Sequence, residues 1–144
     1  MSKKRLSQTK KNIVFLGHMG SGKSTIGRGL SKKLGLDFYD TDKEIEKEMG
    51  QKIAKIFDES GERIFRNIEK KITLKLLDKK NSIIALGGGG FEELKIRKLI
   101  LNKCNSIWLK CDLNILEKRC KVSKKRPLLS NKNIKAEFER LNKI

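Results

Sequence analysis

The octapeptide Gly17-His18-Met19-Gly20-Ser21-Gly22-Lys23-Ser24 constrains this chain more than any other stretch. It fits the spacing G-x-x-x-x-G-K-[ST], and the residues around it supply the context that spacing requires. Before it, Asn12 to Leu16 is a short apolar run rich in β-branched and aromatic residues, which predicts a buried strand. After it, Ile26, Leu30 and Leu34 recur every fourth residue from Lys23 to Leu34, with Gly35 as a C′ stop, which predicts a helix. Glycines in such a turn let the backbone aim several N–H groups at phosphate oxygens, and the helix N-terminus adds its partial positive charge. Lys23 would reach the β- and γ-phosphates of a nucleotide, and Ser24 would offer its hydroxyl to Mg²⁺. His18 is read as a variable position of the loop rather than a catalytic group.

Strands and helices continue to alternate downstream. Leu36 to Tyr39 reads as a second strand, and Thr41 with Glu44 three residues on has the capping-box pattern of a helix that ends at Gly50. Ile53, Ile56 and Phe57 share one face of a short helix closed by Gly61, and Phe65, Ile68, Ile72 and Leu76 stripe a longer one from Glu62 to Lys79. Ser82 to Leu86 is a strand candidate running into four glycines, Gly87 to Gly90. A helix over Phe91 to Leu101, a strand over Ser106 to Lys110, and helices over Leu113 to Cys120 and Ile134 to Leu141 complete the pattern. This order predicts a three-layer α/β fold, with a mostly parallel central sheet flanked by helices. Residues 12–144 read as a single domain without internal repeats, preceded by a basic flexible tail over 1–11, with an exposed loop near 122–133 around the sole proline, Pro127.

Composition narrows the functional classes. The 144 residues carry a formal charge of +18, of which residues 1–11 hold +5 and residues 103–144 hold +8. Basic clusters raise polyanion binding as a reading. However, 27 of the 35 basic residues are Lys, whereas the forked Arg guanidinium is the more telling group for phosphate and base recognition. Together with the abundance of Ile and Asn, this reads as compositional drift, and nucleic-acid binding is not the expected function. No run approaches the length of a membrane span, and the N-terminus lacks the apolar segment of a secretory signal, so a cytoplasmic location is expected. Cys104, Cys111 and Cys120 are odd in number and form no C-x-x-C pair, and they read as reduced and structural.

A phosphate loop identifies a donor and leaves the acceptor open. Asp40-Thr41-Asp42 follows the second strand, at the carboxyl end where open α/β sheets bind ligands. One carboxylate could face Mg²⁺ or its water shell and the other the acceptor's hydroxyls; helix capping is the alternative use for the pair. Arg66 has Glu69 at i+3, an arrangement suited to gripping a planar carboxylate, although a surface ion pair has the same spacing. Gly87, Gly88 and Gly89 could let backbone N–H groups approach a ligand closely, or simply form a turn. Arg126, in Lys124-Lys125-Arg126-Pro127-Leu128-Leu129, could close over the nucleotide as a lid and neutralise developing charge, or sit in a solvated loop.

Taken together, these motifs resemble the shikimate kinase family. The likeness rests on Gly17 to Arg28, on Phe38-Tyr39-Asp40-Thr41-Asp42 followed by Glu44-Ile45-Glu46, on Phe65-Arg66 with Glu69, on Gly87-Gly88-Gly89, and on Arg126-Pro127-Leu128-Leu129. It covers nearly everything from Asn12 onward and implies a P-loop kinase fold and ATP-dependent phosphorylation of the shikimate 3-hydroxyl, in the biosynthesis of chorismate and aromatic amino acids. It further implies that Gly20, Ser21, Gly22, Lys23, Ser24 and Thr25 hold ATP, and that Asp42, Arg66, Gly87, Gly88 and Gly89 contact shikimate. Lys23, Asp42 and Arg126 would carry the catalysis, with Ser24 on the metal, Asp40 reaching it through water, and the protein acting as a monomer. Another small-molecule kinase, of gluconate or nucleotide type, is the alternative.

Two departures from the family pattern stand out. Leu86 occupies a position where many members carry Thr or Ser. Members also continue into an R-x-P-x-Y segment with a second carboxylate-binding Arg, then a last strand and helix. Here the sequence stops at Ile144, about where that Arg would come, and Arg140 does not match it because no Pro or Tyr follows. A truncated, nucleotide-binding chain without activity is therefore a further expectation to test.

Overall fold

The buried strand expected before the glycine loop sits near the centre of a parallel sheet. In a computed structural model, which describes residues 11–112, 114–116, 118, 140 and 143, β1 (Ile13–Leu16) pairs with β3 (Ser82–Ala85) on one side and β4 (Asn105–Trp108) on the other. β2 (Asp37–Asp40) flanks β3, giving the order β2-β3-β1-β4. Apart from Ser82 at the start of β3, both central strands are apolar because both faces are covered, as parallel sheets require. Alternation along β1 then sorts its side chains between two layers. Ile13 and Phe15 join Ile83 beneath Leu30 and Leu34 of α1 (Lys23–Leu34). Val14 and Ile84 point the other way, into the larger core with Ile45, Phe65, Ile72, Leu76, Ile96 and Ile100.

That larger core is built by α2 (Thr41–Met49), α3 (Ile53–Leu77) and α4 (Leu94–Lys103). The break expected at Gly61 is present as a kink within α3, where φ 81° and ψ 171° lie outside helical values. Asn12, 4% exposed, donates to the carbonyls of Leu77 (3.3 Å) and Lys79 (2.7 Å) and accepts from Ser82 N (3.1 Å). It thereby fastens the end of α3 to the start of β3 and closes the buried polar positions there.

Several boundaries differ from the sequence expectation. The segment expected as one helix from Phe91 is a 3₁₀ turn (Gly90–Glu92) followed by α4, because the Glu93 side chain accepts from Lys95 N and starts a new helix. β4 begins at Asn105 and ends at Trp108, earlier than expected. The cap of α2 is Asp40, not Thr41: Asp40 Oδ1 accepts from Asp42 N (3.0 Å) and Lys43 N (3.4 Å). Cys104 and Cys111 are free thiols, and burial pushes the Cys104 thiol up. The expected tail, the loop at 122–133 with Arg126, the last helix and Cys120 lie outside the described residues, apart from Lys11 and Arg140.

Candidate active site

Because β2, β3 and β1 are neighbours and run in the same direction, their carboxyl ends deliver three different loops to one place. A cleft of about 870 Å³ opens there, lined by the glycine loop, the start of α1, Asp40, Asp42, Gly87 and Gly88. The sequence placed these residues on three separate segments, and the structure brings them together.

The donor wall is nearly self-contained. Gly22 takes φ 95° to cap α1, a conformation glycine adopts without steric cost, and its carbonyl accepts from Ile26 N (2.9 Å). Lys23, only 9% exposed, donates from Nζ to the carbonyls of Gly17 and His18, both at 2.8 Å. The Ser21 hydroxyl is buried with no hydrogen-bond partner among the described residues, at a turn whose backbone is shaped for an anion. An unsatisfied donor of this kind is costly unless a ligand meets it, which fits a phosphate oxygen. The Ser24 hydroxyl donates to Asp40 Oδ2. Among the described residues no group of three or more His, Cys, Asp or Glu gathers to form a dedicated metal cage. One hydroxyl and one carboxylate beside a phosphate cradle nevertheless suit Mg²⁺, which keeps several waters and takes phosphate oxygens as ligands.

The acceptor wall is composite. Asp42 comes from the first turn of α2, Arg66 and Glu69 from α3, and the glycines from the end of β3. Arg66 Nη1 donates to Glu69 Oε1 at 2.7 Å, and its guanidinium lies 5.5 Å from the Phe65 ring centroid. This is not an ordinary surface pair, since Glu69 is 5% exposed. Burial pushes the Glu69 carboxyl above its ordinary value, against the opposing pull of Arg66. The glycine turn fits around these side chains. A methyl on Gly89 would meet Arg66 Nη1 at 2.6 Å, and one on Gly87 would meet Asp42 Oδ1 at 2.9 Å and Glu69 Oε2 at 3.3 Å. Gly88 lines the cleft, whereas Gly89, Arg66 and Glu69 do not, and Arg66 lies against Gly89.

This pairing of a phosphate loop with an acid and a held arginine coincides with a family match: a sequence model described as shikimate kinase fits residues 19–143. The chain belongs to the shikimate kinase family. A shikimate kinase from Persephonella marina is 46% identical over 137 residues, 93% of this chain and 83% of that protein. One from Zymomonas mobilis is 40% identical, over 93% of this chain and 76% of its own. Among solved structures, a shikimate kinase from Acinetobacter baumannii in complex with shikimate matches with a TM-score of 0.90 at 34% identity, covering 99% of this chain and 79% of that one.

Within this shikimate kinase framework, the structure adds contacts that local sequence pattern does not carry. The capping-box pattern makes Thr41 a helix cap. It is instead fully buried, and its Oγ1 accepts from Gly87 N at 2.7 Å. Glu46, quoted only as part of a motif, accepts from Ile53 N at 3.1 Å and caps α3 across the turn from α2. Neither contact has a local signal, since the partners are 46 and seven residues away. Arg126 lies outside the described residues.

Proposed function

We propose that this cleft transfers the γ-phosphoryl group of ATP to the 3-hydroxyl of shikimate. The observation that carries the reading is that Asp42 and the phosphate loop line one cleft, with Arg66 held against Gly89 by a buried acid. Gly20 to Thr25 cradle the phosphates through backbone N–H groups, and Lys23 swings from the Gly17 and His18 carbonyls onto the β- and γ-oxygens. Ser24 would hold Mg²⁺ directly and Asp40 through water, and the ion would supply charge neutralisation to the phosphates.

On the acceptor side, Arg66 takes the substrate carboxylate with its planar fork while keeping Glu69 as its second partner. Asp42 receives the reacting hydroxyl, aligns it with the donor and accepts its proton. Gly87, Gly88 and Gly89 supply close backbone approach. Phosphoryl transfer needs mainly alignment and charge neutralisation, and these groups provide both. Arg126, which lies outside the described residues, is the candidate for neutralising charge on the nucleotide. The protein acts as a monomer in the cytoplasm; among the described residues no helix is long and apolar enough to cross a membrane.

The test is coupled ADP release with ATP and Mg²⁺, offering shikimate, gluconate and nucleoside monophosphates in parallel. Turnover dependent on shikimate alone is expected. ATP turnover indifferent to shikimate, or driven by one of the other acceptors, overturns the reading.

A further inference from the structure

The residue between the two acids has no part in the chemistry described above, yet it is the most enclosed side chain of the site. Thr41 is 0% exposed and bonded from Oγ1 to Gly87 N at 2.7 Å. Resting on the acceptor assignment made above, we propose that Thr41 is a positioning residue that holds the Leu86–Gly87 peptide, from which the Gly87–Gly88 peptide turns, in place relative to Asp42, and so sets acceptor affinity.

The backbone geometry shows why one hydroxyl matters here. β3 stays in its ladder as far as Leu86, whose N–H donates to the Phe15 carbonyl at 3.1 Å. From there the chain leaves the sheet, and no strand neighbour is available to hold Gly87. Thr41 accepts its N–H, while its carbonyl accepts from Gly90 N at 3.0 Å. Both polar groups of Gly87 are thereby fixed. In a trans peptide the next N–H points opposite to the carbonyl, so turning the Gly87 carbonyl towards Gly90 turns the Gly88 N–H to the other side. Gly88 lies on the cleft wall, so the orientation of this one peptide decides what backbone dipole the acceptor meets.

Asp42 is tied to the same anchor. It follows Thr41 directly in α2, and its Oδ1 lies so close to Gly87 that a methyl there would meet it at 2.9 Å. Glycine has no side chain to hold its own torsions, and a segment of four consecutive glycines is the least self-supporting backbone in the site. The threonine hydroxyl supplies that support from a neighbouring strand end. Asp40, on its other side, grips Ser24 and caps α2, so loss of the Thr41 contact leaves the donor wall in place.

Thr41→Val keeps the shape and removes the acceptor oxygen, whereas Thr41→Ser keeps the oxygen and removes the methyl. With valine, KM for shikimate is expected to rise about tenfold while KM for ATP stays within about twofold, the scale of one lost buried hydrogen bond. Serine is expected to restore the KM for shikimate to within about threefold of wild type. Amide exchange at Gly87 gives a readout independent of turnover: protection is lost in valine and kept in serine. Should valine not fold, Thr41→Cys, with a weakly accepting sulfur, serves the same comparison. Equal changes in both KM values, or unchanged exchange at Gly87, overturn the proposal. Wild-type protein without shikimate-dependent turnover would instead overturn the acceptor assignment, leaving the exchange result to judge the Thr41 contact on its own.

Discussion

The two cations of the site are held in opposite ways. Lys23 rests its ammonium on the carbonyls of Gly17 and His18, six and five residues back in its own loop. Arg66 is bound to a buried carboxylate on the next turn of α3 and seated against a glycine from the turn that follows β3. The first is a point charge that donates to two backbone carbonyls of its own loop, contacts that phosphate oxygens can replace. The second is a rigid fork set in place before any ligand arrives, since a charged partner and a packed backbone both restrict it. A donor brings its own charge and metal and needs a cation that moves to it. A small carboxylate-bearing acceptor has to be aligned, and for that a cation that stays still is worth more.

The largest expected effect comes from removing the moving charge. Lys23→Met should lower kcat by roughly 10³-fold, because charge that builds on the transferred phosphoryl group loses a stabilising cation. KM for shikimate should change far less. A kcat loss of only a few fold would mean that Lys23 stays on its loop carbonyls throughout turnover. Arg66→Lys comes next: the charge remains but the fork and its seat are lost. KM for shikimate should rise about 10- to 100-fold, with KM for ATP unchanged. If lysine serves equally well at 66, rigidity is not what the acceptor wall provides.

A gentler perturbation acts on the seat alone. Gly89 has φ −96° and ψ −6°, which alanine also adopts, so Gly89→Ala strains no backbone. Its methyl would instead stand 2.6 Å from Arg66 Nη1 and push the guanidinium aside. An increase of about tenfold in KM for shikimate is expected, with a melting temperature close to wild type. A large fall in melting temperature would show that Gly89 serves the fold rather than the arginine.

The same contrast explains what the sequence made legible. The donor wall is contiguous, so spacing alone specified it: the helix expected over Lys23 to Leu34 has those bounds, and Gly22 has the positive φ that the motif implies. The residues proposed for the acceptor wall come from likeness to a family, and of their contacts only the Arg66–Glu69 pair has a local signal in its i+3 spacing. Glycines 87 to 89 suggested a backbone that approaches a ligand. Their closest neighbours are the site's own side chains, Asp42, Met19 and Arg66. Thr41 and Asp40 are both good caps, and local pattern could not choose between them. The choice is made by Gly87, brought beside Thr41 by the pairing of β2 with β3, which no short window of sequence contains.

Glu69 gives the finest test of the pre-set arginine. Burial raises its carboxyl above the ordinary value, so the folded protein holds a proton there that the unfolded chain has already released. Stability therefore falls as pH rises through the interval between the two values, and the ionised form is the less favourable one for folding. Arg66 opposes that rise through its charge and its hydrogen bond. Glu69→Gln removes the ionisation and leaves a neutral acceptor for Nη1, so the melting temperature at neutral pH should stay level or rise slightly. KM for shikimate should nevertheless increase by about threefold, since a neutral partner holds the guanidinium less firmly than a charged one. In wild type, protonation of Glu69 on the acid side should weaken the acceptor complex in the same direction, giving an acid limb in kcat/KM for shikimate that lies at lower pH in the variant. An acid limb that stays in place, with a melting temperature well below wild type, would mean that Glu69 holds the fold together rather than the arginine.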